Sequence, residues 1–162
     1  MKEPSDPFRK AVEQSIRMEF QAMNLYTTLA NRAEDGEAVR VLRFLAEAEE
    51  SHVGRLVELF SGIRKEAGGA MAHVDIVKAF REEGWRLYKA RLAGAGLTDR
   101  SPADDYLTFA IVGEAHARSH YDRMAEESAD AGMKEIFRTL AREESEHEAQ
   151  LRRIQESLRR NR

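Results

Sequence analysis

Residues 46–52 read Ala46-Glu47-Ala48-Glu49-Glu50-Ser51-His52, and residues 141–148 read Ala141-Arg142-Glu143-Glu144-Ser145-Glu146-His147-Glu148. In each stretch a Glu precedes a His by three positions, and residues three apart lie on one helix face. Both pairs fall within apolar stripes of helical period. The first stripe runs Val39, Leu42, Leu45/Ala46, Glu49, His52/Val53, Leu56, Leu59/Phe60 and Ile63. The second runs Met133, Ile136/Phe137, Leu140, Glu144, His147, Leu151, Ile154 and Leu158. A three-to-four-residue recurrence of this length predicts an amphipathic helix with the stripe facing a core. The acid and imidazole groups are therefore expected to point inward.

Working outward, each of these helices has a partner before it. Phe8, Val12, Ser15/Ile16, Glu19, Ala22/Met23, Tyr26 and Leu29/Ala30 form one preceding stripe. Tyr106, Phe109/Ala110, Gly113/Glu114, Ala117, Tyr121 and Met124 form the other. Asp6-Pro7 and Ser101-Pro102 read as helix caps with Pro at the first helical position, and Gly68-Gly69 reads as a stop. Helices are expected over about 7–35, 37–66, 101–130 and 132–160. The crossover 67–100 carries an additional helix over about 74–93, with Val77, Phe80, Trp85, Leu87/Tyr88 and Leu92 as its apolar residues. Short turns make antiparallel hairpins, and one long connection lets the second hairpin pack beside the first. The expectation is an all-α, antiparallel four-helix bundle with one long crossover, as a single domain over 1–162.

The two hairpins repeat one another. Offset by 95 residues, positions 19–56 and 114–151 share eleven identities over 38 ungapped positions, against about two or three from composition alone. The matched pairs include Glu19/Glu114, Tyr26/Tyr121, Asp35/Asp130, Glu49/Glu144 and His52/His147. Burial of four carboxylates together decides the chemistry. An unpaired ionised group inside a protein costs on the order of several kcal/mol, and like charges repel besides. Two divalent cations cancel four carboxylates and leave the two imidazoles neutral. Carboxylate and imidazole donors suit Fe, Mn or Zn. Glu19, Glu49, His52, Glu114, Glu144 and His147 are the candidate ligands of a dinuclear centre at mid-bundle. Tyr26 and Tyr121, seven residues after Glu19 and Glu114 respectively, are candidates to hydrogen-bond ligand carboxylates, with plain core packing as the alternative.

Other charged residues receive plainer readings. Glu47, Glu50, Glu143, Glu146 and Glu148 lie off the stripes and read as a solvated face. His73 and His116 read as surface residues, and His120, beside Tyr121, is a minor ligand candidate. Arg152, Arg153, Arg159, Arg160 and Arg162 crowd a helix C-terminus, which favours cations.

Composition closes off other chemistries. The 162 residues hold no Cys, which excludes disulfides, thiolate metal sites and cysteine nucleophiles. A formal net charge of −3 gives no general reason to bind nucleic acid or an anionic membrane. With no apolar run near the length of a membrane span and no signal-peptide core after Met1, a cytoplasmic protein is expected.

The six-residue pattern in two hairpins resembles the ferritin-like di-iron proteins. The phrases around Glu19…Tyr26, Ala46–His52, Gly113-Glu114…Tyr121 and Ala141–Glu148 are most similar to the rubrerythrin branch, over about residues 8–60 and 103–158. The resemblance implies a ferritin-like bundle holding two irons, with Mn or Zn as substitutes. Glu49 and Glu144 would bridge the metals, His52 and His147 would each bind one, and Glu19 and Glu114 would be terminal. It further implies reduction of hydrogen peroxide or dioxygen as iron cycles between ferrous and ferric, in a homodimer. An iron-binding or storage protein with little turnover is the alternative. Two departures stand out. The four-cysteine rubredoxin-type site of rubrerythrin proper is missing, so electrons would come from an external donor such as a rubredoxin-type protein. The extra Glu expected three residues after Glu114 is Ala117, which moves the ligand set toward that of bacterioferritin-like ferroxidases.

Overall fold

The computed structural model describes residues 6–66 and 73–161. Five helices follow one another: α1 (Asp6–Arg32), α2 (Gly36–Glu66), α3 (His73–Gly94), α4 (Ala103–Glu127) and α5 (Ala131–Arg160). Among the described residues there is no strand. The Asp6 side chain expected to cap α1 and the Gly68-Gly69 stop lie outside the described residues.

The hairpin turns explain why two helices end earlier than their stripes suggest. Asp35 is the N-cap of α2, its Oδ1 accepting from the Ala38 N–H at 2.8 Å. Asp130 does the same for α5, accepting from the Met133 N–H at 2.9 Å. The duplicated Asp thus satisfies a free amide at the start of the second helix in each hairpin. At the start of α4 the expected Ser101 cap is absent, because Ser101 Oγ instead accepts from the Thr98 N–H at 2.9 Å. Pro102 takes the cap position without a side-chain bond, and its carbonyl accepts the Asp105 N–H at 3.1 Å. Asp104 and Asp105 then place acid in the first turn, where the helix dipole favours it.

The hairpins α1/α2 and α4/α5 are each in close contact, α1 lies beside α4, and α2 beside α5. The crossover helix α3 packs along α1 and touches α2. Its buried line is Ile76, Phe80, Gly84 and Tyr88, whereas Trp85, expected inward, is 45 % exposed. Gly84 explains the difference. A Cβ there would stand 2.5 Å from the Phe20 Cβ, so the α1–α3 approach centres on the one residue lacking that atom. Arg17 on α1 donates to Glu83 on α3 at 2.7 Å and fixes the pairing.

The core has two apolar parts. One gathers Val12, Ile16, Phe20, Leu56, Phe137 and Leu140; the other gathers Leu29, Leu42, Leu45, Tyr106, Leu107 and Leu151. Along each bundle helix the sequence passes from one part to the other through a single polar layer. That layer holds the candidate site.

Candidate metal centre

Glu19 comes from α1, Glu49 and His52 from α2, Glu114 from α4, and Glu144 and His147 from α5. All six are buried, with none more than 4 % exposed. The helical step of three brings each Glu-x-x-His pair onto one face, and the repeat brings the two faces together. The rings of His52 and His147 stack with centroids 5.4 Å apart.

The oxygens are shared in a definite way. His52 Nδ1 lies 3.0 Å from Glu49 Oε2, 3.1 Å from Glu144 Oε1 and 3.3 Å from Glu19 Oε2. His147 Nδ1 lies 3.0 Å from Glu49 Oε1, 3.0 Å from Glu144 Oε2 and 3.8 Å from Glu114 Oε2. Glu49 and Glu144 therefore each direct one oxygen to each imidazole. Two four-residue groups result, Glu19/Glu49/His52/Glu144 and Glu49/Glu114/Glu144/His147, each with its donor atoms within 4.8 Å of one another. We refer to them as positions A and B.

This donor set fits a pair of divalent cations. Both oxygens of Glu49 and Oε1 of Glu144 are buried and take no hydrogen bond, a costly state for carboxylates unless a cation meets them. Imidazole and carboxylate together suit iron, manganese or zinc.

The electrostatics show what stands in for the cations. Burial, reinforced by the charge of Glu144, pushes the Glu19 and Glu114 carboxyls well above the usual range. Glu49 goes the other way: burial opposes its ionisation, but the close approach of Glu19, His147 and His52 prevails and holds it low. Burial likewise opposes the protonation of His147, yet its hydrogen bond with Glu144 and the nearby Glu49 carboxylate push it up to about 10. His52 is raised too, burial being outweighed by Glu144, Glu19 and Glu49. Protons thus occupy the donor atoms that cations would claim.

Outer contacts are unequal. The Tyr121 hydroxyl donates to Glu19 Oε1, leaving Oε2 directed at His52. Tyr26 is buried in the other apolar part of the core and, among the described residues, donates to no carboxylate, so of the duplicated tyrosines Tyr121 alone is seen to hydrogen-bond a candidate ligand. Glu143, expected on a solvated face, is half-buried and lies 3.0 Å from His52 Nε2. Arg55 donates to the same Glu143 oxygen at 2.5 Å. Glu148 also leaves the solvated face, contacting Arg118 at 3.3 Å and Arg152 at 2.7 Å. Glu47, Glu50 and Glu146 are exposed as expected. The one sequence signal for Glu143 is its place directly before Glu144, a step that turns it toward the neighbouring helix.

The remaining histidines stand apart. His73 and His116 are exposed. His120 is buried, but it lies 2.8 Å from Ser15 Oγ and belongs to neither position; burial, helped by Arg123, holds its pKa below the ordinary value. A groove of about 570 Å³ between α1, α3 and α4 reaches Glu19, Glu49, Glu114 and Glu144, passing Gly113 and Ala117. The small side chain at Ala117 leaves that wall free of a further carboxylate.

A family model described as Rubrerythrin matches residues 10–96 and 105–162. No curated protein and no solved structure matches the chain.

Proposed function

The chain belongs to the rubrerythrin family, and from that premise we propose that it is a non-haem di-iron oxidoreductase reducing hydrogen peroxide or dioxygen. The observation that carries the reading is the division of the Glu49 and Glu144 oxygens between two imidazoles in a buried layer. In this reading Glu49 and Glu144 would be shared by the two positions, each offering one oxygen to either side. Position A is completed by Glu19 and His52 Nδ1, and position B by Glu114 and His147 Nδ1. Iron held by these residues would supply two electrons, one from each position.

The chain's own residues do the rest. Tyr121 holds Glu19 by its Oε1 and keeps the other oxygen on the cluster. Glu143 and Arg55 orient the His52 ring from behind. The apolar layers above and below exclude bulk water, and the groove past Ala117 admits an oxidant as small as peroxide. Peroxide takes two electrons and two protons, its O–O bond breaks, and two waters leave. With no cysteine in the chain, re-reduction falls to an external donor, a rubredoxin-type protein or a small reductant. A cytoplasmic homodimer is the assembly this reading expects.

The test is anaerobic reconstitution with two ferrous ions per chain, then stopped-flow mixing with peroxide and separately with air. Ferric absorbance should rise faster than for the same iron free in buffer. Oxidation no faster than free iron overturns the enzyme, and a large multi-subunit shell by light scattering would point to storage instead.

A further inference from the structure

The sequence repeat makes the two metal positions formally equivalent, yet their surroundings differ in two independent places, both on the same side. Behind His52, Nε2 meets Glu143 at 3.0 Å, and Arg55 holds Glu143 in turn. The offset of 95 residues that matches His52 to His147 puts Ala48 where Glu143 would be and Gln150 where Arg55 would be. Among the described residues no carboxylate lies within 4.0 Å of His147 Nε2. The second difference concerns the terminal carboxylates. Tyr121 anchors Glu19 of position A, whereas Tyr26, its repeat partner, donates nothing to Glu114 of position B.

We propose that the two positions bind metal unequally: position A is a tight, permanently filled site, and position B is a weaker, exchangeable one. The inference rests on the dinuclear reading above. Its physical basis is preorganisation. A ligating imidazole whose far nitrogen donates to a carboxylate has its tautomer and ring plane set and is the stronger donor; losing such a partner costs about 10- to 100-fold in metal affinity. Here Glu143 sets Nε2 as the protonated nitrogen of His52 and leaves Nδ1 to the cluster. Tyr121 adds to this by removing the rotational freedom of Glu19. His147 and Glu114 must be ordered by the ion itself. Glu143 is accordingly a positioning residue, acting on the metal through His52.

Calorimetric titration of Zn²⁺ into the metal-free full-length chain tests this directly, because zinc reads affinity without redox chemistry. Two steps are expected, separated by about 10-fold or more. His147→Ala should keep the tight step and His52→Ala should lose it. Glu143→Gln should weaken the tight step by about 10-fold and leave the weak one in place. Glu143 is half-exposed, so its replacement is expected to leave the fold intact, which far-ultraviolet circular dichroism checks. Ala48→Glu supplies the converse by strengthening the weak step. Two equal steps, equal losses from the two His variants, or a gap insensitive to both Glu143→Gln and Ala48→Glu overturn the inequality while leaving a dinuclear centre standing. No zinc uptake at all overturns the dinuclear reading itself.

Discussion

His52 on α2 and His147 on α5 stack with their ring planes 15° from parallel, and each turns Nδ1 toward one oxygen of Glu49 and one of Glu144. Two imidazoles so placed and both protonated repel one another. They are tolerated because Glu49, held low and facing both rings, carries the opposing charge.

A pH dependence follows for the metal-free protein. His147 is raised from 6.5 to about 10 on folding, burial being overcome by Glu144 and Glu49. A histidine that holds its proton more tightly when folded stabilises fully below its unfolded value, and the contribution is lost as pH rises through the folded value. The raised carboxyls of Glu19 and Glu114 act in the same direction. Metal-free protein should therefore lose thermal stability between about pH 6.5 and 10. Melting temperatures in chelator across that range check it; a flat or rising curve contradicts it.

Metal binding should show the opposite slope. Cations must displace the protons on His52, His147, Glu19 and Glu114, so affinity should increase with pH and each binding event should release protons. Calorimetry in buffers of different ionisation enthalpy measures the number released.

Glu49→Gln preserves shape but removes the charge that faces both imidazoles. Metal content should fall from two ions per chain to one or none, by elemental analysis. With zinc at about a hundred times Kd, the native protein gains about 2.7 kcal/mol per site. The variant should lose most of that gain in a thermal melt.

Asp35 and Asp130 cap α2 and α5 from equivalent places in the two hairpins. Asp→Ala at either should cost about 1 kcal/mol, read as a drop of about 2–4 °C in Tm for a chain of this size. Metal stoichiometry should stay unchanged, since neither side chain reaches the cluster.

Gly84→Ala places a methyl group 2.5 Å from the Phe20 Cβ. That atom is fixed to the α1 backbone and cannot swing aside, so α3 must move outward. A cost of about 1–3 kcal/mol is expected from overpacking, measured as a lower midpoint in urea. An unchanged midpoint would mean that the α1–α3 contact yields freely.

The sequence legible part and the hidden part divide along a physical line. The Glu-x-x-His pairs, the hairpins and the inward phase of all six candidate ligands depend on the 3.6-residue period, which is local. The apolar stripe of α3 includes Trp85 but not the buried Gly84, because Gly84 has no apolar side chain to mark it, although a Cβ there would meet Phe20 of α1. Glu143 departs from its expected solvated face for a similar reason: whether an acid one step off the stripe is solvated depends on what the next helix presents, here His52 and Arg55.

By itself, then, the chain's amino-acid order determined the helices, their pairing into two similar hairpins and the set of acid and imidazole groups turned inward. These follow from periodicity, from turn chemistry and from the cost of burying like charge. Only the tertiary structure decided that Tyr121 and not Tyr26 holds a candidate ligand, and that Glu143 supports one imidazole while its counterpart has no such support. Those contacts join residues from different helices, and a contact between helices is set by where their axes lie, which no local pattern records.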